Sequence, residues 1–306
     1  EVSGEILISK VVNKVARFLV FGLFAGFISF IPNSPAANAA TVVLPATALN
    51  FDGSSGGNST PIVGTGKAQG DVVLYKKVIT LSTGLSIDAV VTTKSIVNVS
   101  GNAISTYDSP GSASTSKAAF QVDFTTSGTT GGYVKFNISF YEAGTYTKPG
   151  SGIPVVLQNA VVSSIDLDSS GSGDFQFTDF SGFQKYTLTT NTNLTPSLIL
   201  GTPNQVHFLS KDAVNSASIP ADQATVYYSS ISSTDITVGN VKGGMGYYGL
   251  FFGPATWGSA TPVTTNNSFN TPPMSTNVTL NVAQNSSTVL STANFGNYSD
   301  VDNNPF

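Results

Sequence analysis

Apolar and polar residues alternate along much of this chain. The strictest case is residues 134–141, VKFNISFY, where Val134, Phe136, Ile138 and Phe140 lie on one face of an extended segment. A period of two predicts a half-buried β-strand. Similar runs predict strands at Val72–Ile79, Ser86–Thr93, Ala119–Thr125, Val155–Leu157, Ala160–Leu167, Lys185–Thr189, Gln205–Ser210 and Thr225–Tyr228. Beyond residue 40 no apolar period of 3.6 residues persists over three turns, so we expect an all-β protein.

Short strands with one apolar face must bury that face against another sheet. The pattern therefore predicts a two-sheet antiparallel β-sandwich, with jelly-roll and immunoglobulin-like topologies both open. We expect the main domain to span residues 40–258. Residues 259–306 are predicted to be a Pro/Thr/Asn-rich connector followed by strands at Thr279–Val282 and Thr288–Phe295.

The first 39 residues have the pattern of a secretory signal peptide with a signal helix. Lys10, Lys14 and Arg17 precede an apolar stretch from residue 18 to 31, and Ala37-Asn38-Ala39 resembles a cleavage triplet. This stretch of fourteen residues is shorter than the roughly 20 that a membrane-spanning helix requires. We expect cleavage after Ala39 and a secreted or cell-surface protein. An uncleaved anchor is the alternative, and it would be the chain's only membrane contact.

The composition narrows the classes of partner. Only 10% of the residues are charged, the formal net charge is −4, and there is no cysteine. The chain beyond residue 39 contains no arginine. Nucleic acids and nucleotides are bound mainly through clustered positive charge and guanidinium groups, so neither is an expected partner. Ser and Thr are abundant, which is typical of an extracellular module whose partners are surface or matrix glycans or other surface proteins.

A run of acidic residues resembles most of a calcium-binding loop. Asp166, Asp168, Ser170 and Asp174 stand at positions 1, 3, 5 and 9, and a glycine at position 6 permits a sharp turn. Position 12, where a bidentate Glu is usual, holds a phenylalanine, so Asp179 or another oxygen would complete the shell. The sequence predicts a structural Ca²⁺ site, and a solvated turn rich in aspartate is the alternative.

The same stretch carries a resemblance. The segments IDLDSSGSGDFQFTDFSGFQKYTL (165–188), GDVVLYKKVITLSTGLSIDAVVTT (70–93) and YYSSISSTDITVGN (227–240) resemble extracellular β-sandwich modules of large secreted or surface-exposed bacterial proteins of adhesin type. The likeness covers about residues 50–255. It implies a bacterial cell-surface module without catalytic residues, in which Asp166 and Asp168 bind calcium.

Catalytic motifs are weak. His207 is the only histidine, and Gly53-Ser54-Ser55-Gly56-Gly57 fits a nucleophile-elbow spacing without the strand and helix that the elbow requires. Glu142, the one glutamate beyond residue 39, would be the acid of a glycoside hydrolase. We expect no catalytic residues and no enzyme activity.

An aromatic run offers a binding surface instead. Tyr247, Tyr248 and Trp257 lie in a Gly-rich segment, and flat aromatic rings can stack on sugars. The alternative interpretation places Tyr247–Phe252 in a core strand. The sequence thus predicts a secreted or cell-surface adhesive or structural module, and a carbohydrate-binding module is the second candidate.

Overall fold

The computed structural model describes residues 39–108, 118–169, 173–199, 205–211 and 219–267, together with the backbone of 274–275 and 298–299. Helical structure in this part of the chain is confined to two short 3₁₀ turns, Ser100–Asn102 and Pro220–Asp222. The strands are β1 (Ala40–Val43), β2 (Ser59–Val63), β3 (Val72–Thr80), β4 (Ser86–Val97), β5 (Thr106–Tyr107), β6 (Phe120–Thr126), β7 (Gly132–Glu142), β8 (Val155–Ile165), β9 (Gln176–Ser181), β10 (Lys185–Thr189), β11 (Leu194–Ile199), β12 (Gln205–Ser210), β13 (Ala224–Ile231), β14 (Ser233–Asn240), β15 (Gly244–Phe251), β16 (Pro262–Asn266), β17 (Met274–Ser275) and β18 (Tyr298–Ser299).

Within the described residues the strands form two large sheets. The first has the order β16-β10-β13-β8-β15-β6-β5, and β1 pairs with β8 beside this path. The second has the order β11-β12-β9-β14-β7-β4-β3-β2. The short strands β17 and β18 pair with each other. The all-β prediction is confirmed, as is antiparallel pairing, except that β1 runs parallel to β8.

One apolar core joins the two sheets. Phe120 of β6 packs edge-on against Phe136 of β7, with ring centroids 5.1 Å apart, and Tyr186 of β10 packs against Phe208 of β12 at 5.3 Å. The apolar positions of the β7 pattern, at 134, 136, 138 and 140, all point into this core. The residues between them point outward and are partly exposed, so β7 has one buried face and one partly exposed face, as the alternation predicted.

Strand β8 explains why the sequence suggested two strands where the structure has one. Its buried positions are 155 and 157 before Asn159, and 160 and 162 after it. Asn159 has a φ of +58°, a left-handed conformation that asparagine tolerates better than most residues. The change of phase at Asn159 keeps both halves of the strand facing the core, although it interrupts the alternation that a sequence pattern detects.

Several strands were not predicted. β2, β9, β11 and β16 lack a clean alternation, and all six positions of β9 are buried. β14 was not predicted either, although Ile236 and Val238 alternate with polar residues. Part of the predicted connector, Pro262–Asn266, forms an edge strand against β10. The expected strands at 279–282 and 288–295 lie outside the described residues, as does the predicted signal segment except for its last residue. The described part of the chain holds no helix with the length and apolar character needed to cross a bilayer.

Candidate functional site

Acidic side chains gather at one end of the sheets, where the chain leaves β8. Asp166 directly follows β8, and the neighbouring Leu167 N–H donates to the carbonyl of Asp222, 3.0 Å away. This bond places the turn Pro220–Asp222, which precedes β13, beside the loop after β8. The Gln176 N–H, at the start of β9, donates to the Asp168 carbonyl at 2.9 Å. Three aspartates from two distant parts of the sequence therefore share one end of the molecule.

These aspartates are buried. The exposed fraction is 9% for Asp166, 4% for Asp168 and 1% for Asp222. Burial raises the pKa of Asp166 to about 7, and repulsion from the carboxylates of Asp168 and Asp222 adds to this rise. Asp222 also accepts a hydrogen bond from Asn193 Nδ2 at 2.8 Å.

The structure places the residues of the predicted calcium loop in different surroundings, with different hydrogen-bond partners. Asp174 is buried and accepts a hydrogen bond from Ser169 Oγ at 2.7 Å, whereas Ser170 lies outside the described residues. Asp179 stands within β9 on the outer face of the second sheet, where it bonds His207 Nδ1 at 2.6 Å. Asp179 is thus committed to a different partner. Among the described residues, no group of three or more Asp, Glu or His side chains is arranged to hold a metal ion as it stands.

The predicted sugar-binding aromatics do not form one surface. Tyr248 lies in the core, stacks on Phe124 with ring centroids 4.6 Å apart, and donates its hydroxyl hydrogen bond to Asn240. Its ring is 1% exposed, so its inclusion in a sugar-stacking surface is wrong. Tyr247, on the opposite face of β15, and Trp257, in the loop after it, are half-buried. The strand alternates, and alternation sends neighbouring aromatics to opposite sides.

A polar cavity of about 260 Å³ lies near Trp257. Five of its nine lining residues are of hydroxyl or amide type, namely Thr189, Thr190, Asn191, Ser259 and Thr261, and Ile219, Pro220, Ala221 and Ala260 complete the lining. The Oγ1 atom of Thr189 is buried without a hydrogen-bond partner. Trp257 begins the turn that forms one wall, since its carbonyl accepts a bond from the Ala260 N–H at 2.9 Å. No sequence pattern predicted this cavity, because its walls come from three separate segments of the chain.

A second cavity, of about 180 Å³, is mainly apolar. It is lined by residues of the segment 44–49 and of β8, with Phe140, Ile231 and Phe252 from the core. It lies where β8 passes from its pairing with β1 to its pairing with β15. The gap arises because β1 and β15 pair with different parts of the same edge of β8 and leave the residues between them unpaired on that side. None of its lining residues is charged.

The residues considered for catalysis are apart from both cavities. His207 and Asp179 are cross-strand partners on β12 and β9, and Ser197 of β11 stands opposite His207 on the other side. No hydrogen bond joins Ser197 to His207 among the described contacts, and Ser197 is exposed whereas Asp179 is buried. Ser54 bonds Asp52 within a turn that precedes β2, where no helix follows. Glu142 is half-buried at the end of β7.

A buried carboxylate that sequence reasoning missed lies at Asp108. It accepts hydrogen bonds from the Tyr75 hydroxyl at 2.7 Å and from the Gln121 N–H at 3.2 Å. Burial raises the pKa of Asp108 to about 7, although these two donors oppose the rise. A single Asp in a Ser-rich loop carries no pattern that would predict its burial.

Comparison with known proteins gave structural likenesses only. No family model matches the chain, and no curated protein sequence matches it. The N-terminal domain of the Streptococcus gordonii adhesin Sgo0707 is similar over 71% of this chain and 67% of that chain, with a TM-score of 0.41 and 8% identity. Glucan-binding protein C of Streptococcus mutans is similar over 61% of this chain and 58% of that chain, with a TM-score of 0.33 and 11% identity.

Both proteins are associated with adherence by their own descriptions. No function is transferred from likenesses of this size.

Proposed function

We propose that this protein is a secreted or cell-surface β-sandwich module that acts in adhesion or as a structural element, has no enzyme activity, and is stabilised by a bound calcium ion. The observation that carries the proposal is the direction of the aromatic run. Tyr248, Leu250 and Phe252 enter the core that joins the sheets, so this segment serves the scaffold. The partners of such a module would be surface glycans or other surface proteins.

The outer sheet faces support an extracellular role. On the second sheet they carry uncharged polar groups such as Asn137 and Ser139, which are hydrogen-bonded to each other at 2.7 Å. Polar surface of this kind keeps a protein soluble with little charge, and it offers amide and hydroxyl groups to a partner.

Surface exposure and adhesion can be tested with antibodies raised against the purified protein. We expect them to label intact cells of the source organism, and their Fab fragments to reduce attachment of those cells to a host or matrix surface several-fold. Fab fragments from pre-immune serum are the control. Labelling that appears only after the cells are permeabilised would contradict the proposal.

Carbohydrate binding is the second candidate, and the polar cavity beside Trp257 favours it. A volume of about 260 Å³ lies below the roughly 300–1,000 Å³ of drug-sized ligand pockets, and is suited to one sugar ring. Its threonine, serine and asparagine groups are the donors and acceptors that sugar hydroxyls require. Trp257 is half-buried and begins the turn that carries Ser259 and Ala260 of the lining, so we infer that its ring could stack on a bound sugar.

A glycan array separates this candidate from the first. Signal that is lost in both Trp257→Ala and Thr190→Ala, and retained in Tyr247→Ala, would place a sugar in this cavity. An array without signal, together with Fab-sensitive attachment, would favour a protein partner.

A further inference from the structure

Two buried polar side chains at one end of the first sheet each have an atom without a hydrogen-bond partner. Thr189, the last residue of β10, is 4% exposed, and Gln223, directly before β13, is 7% exposed. The Oγ1 atom of Thr189 and the Nε2 atom of Gln223 are buried and make no hydrogen bond. A polar atom that leaves water without gaining a partner lowers stability, and native structures keep few such atoms.

The register of the strands sets these two residues side by side. β10 and β13 pair antiparallel, with Thr187 opposite Thr225. Gln223 is extended, with a φ of −119° and a ψ of 134°, so the same register continues to Thr189 and Gln223. Directly opposite residues on one face of a sheet have Cβ atoms about 4.5–5.5 Å apart. The two unpartnered atoms therefore belong to neighbouring side chains.

These side chains belong to the outer face of the sheet, next to the polar cavity. Leu188 and Ala224, their neighbours in sequence, lie in the core, and alternation directs Thr189 and Gln223 outward. Thr189 is one of the residues that line the cavity of about 260 Å³. Gln223 follows the lining segment 219–221 after one residue. The unpartnered hydroxyl group thus belongs to the cavity wall, with the amide beside it.

The cavity is preformed, because hydrogen bonds hold its three wall segments together. The Thr190 N–H donates to the Thr261 carbonyl at 3.0 Å, which joins the first segment to the third. The Asn193 N–H donates to the Ala221 carbonyl at 2.9 Å, which joins the first segment to the second. Ligand sites are usually formed before the ligand arrives, so this rigidity suits binding.

We propose that this cavity binds one neutral hexopyranose, the terminal residue of a glycan, and that Thr189 Oγ1 and Gln223 Nε2 bond its hydroxyl groups. The inference rests on the carbohydrate-binding candidate above and deepens it, since it names the class of sugar and two of the groups that hold it. A sugar hydroxyl both donates and accepts, so one can accept from the amide and another can bond the threonine hydroxyl.

The lining matches the two kinds of surface on a sugar ring. Hydroxyl and amide residues suit the polar rim of the ring, and apolar residues suit its C–H face. The apolar part of the lining is Ile219, Pro220, Ala221 and Ala260.

The charge of the lining selects a neutral sugar. None of the described lining residues is charged. Lys211, whose N–H donates to the Asn193 carbonyl, is exposed and is not part of the lining. The carboxylate of a uronic or sialic acid would leave water without gaining a cationic partner from the described lining, which is costly.

The test is a titration of the purified protein with methyl glycosides, followed by ligand-observed NMR. Methyl glucoside, galactoside and mannoside are the neutral probes, and methyl glucuronide and methyl sialoside are the acidic ones. We expect at least one neutral probe to bind with a Kd on the order of 10⁻³ M, and the acidic probes to bind at least about tenfold more weakly. Absence of neutral binding at about 100 times that concentration would mean that only water fills the cavity, and equal binding of an acidic probe would refute the sugar class. Either result overturns the proposal.

Three variants locate the binding. Thr189→Val and Gln223→Leu keep the side-chain shape, and each should weaken binding by at least about tenfold, because a sugar hydroxyl loses its partner. Thr187→Val is the matched control, since the hydroxyl of Thr187 lies on the same face of β10 and already bonds Thr264 Oγ1 at 2.7 Å. Binding should survive in this control. Unchanged binding in Thr189→Val would overturn the assignment.

Thermal unfolding guards against a variant that loses binding because it unfolds. Thr189→Val should have a Tm equal to or above that of the unmodified protein, because its hydroxyl has no partner to lose. A lower Tm would mean that the protein itself bonds this hydroxyl, which would contradict the proposal. Thr189→Ser retains the hydroxyl and should retain binding.

Failure of this site can be told apart from failure of the proposed functions. Glycan-array signal that persists in Thr189→Val and Gln223→Leu would leave carbohydrate binding in place and refute this site. Attachment that Fab fragments block, without binding of any sugar probe, would leave the adhesive function in place and refute both sugar proposals.

Discussion

Asp108 and Asp166 are both buried carboxyl groups with a pKa near 7, yet their surroundings differ in kind. Asp108 receives hydrogen bonds from Tyr75 and from the Gln121 backbone, which favour its ionised form. Asp166 has Asp168 and Asp222 as neighbours, which oppose ionisation. The donors around Asp108 oppose the rise in its pKa, whereas the neighbours of Asp166 add to the rise in its pKa.

The difference shows that burial alone does not determine whether a carboxyl group has neighbours that favour its ionised form. Removal from water raises the pKa at both positions, since the charged form loses its hydration. The neighbours then decide whether that rise is opposed or increased. Hydrogen-bond donors favour the ionised form, and neighbouring carboxylates oppose it.

The largest effect we expect is a dependence of stability on pH. Between about pH 4 and pH 7 the unfolded chain releases the Asp108 proton while the folded protein retains it. The unfolded state then binds fewer protons, so the free energy of unfolding falls as pH rises through this window and levels off above pH 7. A shift of three pKa units corresponds to at most about 4 kcal/mol.

Chemical denaturation at a series of pH values measures this dependence. Asp108→Asn should show a smaller fall across the same window than the unmodified protein. Parallel curves for the two proteins would mean that Asp108 titrates at its ordinary pKa.

The next effect concerns the donor to Asp108. Tyr75→Phe keeps the packing of a fully buried ring and removes only the hydroxyl that bonds the carboxylate. We expect the free energy of unfolding at neutral pH to fall by about 1–3 kcal/mol, because a buried acceptor loses its donor. Urea denaturation at pH 8 and pH 4 measures it. The loss should shrink at pH 4, where the carboxyl group is neutral, and an equal loss at both values would rule out the hydrogen bond as its cause.

Asp179 is a third buried carboxylate, and its hydrogen-bond partner is the side chain of His207. Replacing His207 by Phe retains a ring against Phe177, whose centroid lies 4.6 Å away, and deprives Asp179 of its bond. We expect a destabilisation of about 1–2 kcal/mol. Nitrophenyl ester hydrolysis should stay at the buffer rate in both proteins. Hydrolysis above that rate that disappears in the variant would mean that the row with Ser197 is catalytic.

The smallest effect is expected on the outer face of β15. Tyr247→Phe removes a hydroxyl whose described contact is the Met245 sulfur at 3.6 Å. Stability should change by no more than about 0.5 kcal/mol, as for most surface substitutions. The same denaturation assay makes this variant the matched control for Tyr75→Phe. A loss as large as that at Tyr75 would show that the hydroxyl effect does not depend on burial.

Much of the fold could be predicted where alternation is clean. Lys185–Thr189 and Gln205–Ser210 were predicted with their observed bounds, and β7 within two residues at its start. Some strands that were missed have no alternation to detect, as in β9, where both faces are buried, or lie at an edge, as in β16. Asp166 and Asp168 were singled out from their spacing, and their role in calcium binding stays a prediction. Asp222, which lies beside them, belongs to a turn with no motif of its own.

The sequence by itself determined that the described part of the chain is all-β, because a period of two in apolar residues is a local property of neighbouring positions. It also determined which side of β7 faces the core. Only the tertiary structure decided that Tyr248 is buried, that Asp179 bonds His207, and that Asp222 joins Asp166. Those outcomes depend on which distant strands become neighbours, and pairing between strands is fixed by the packing of the whole core.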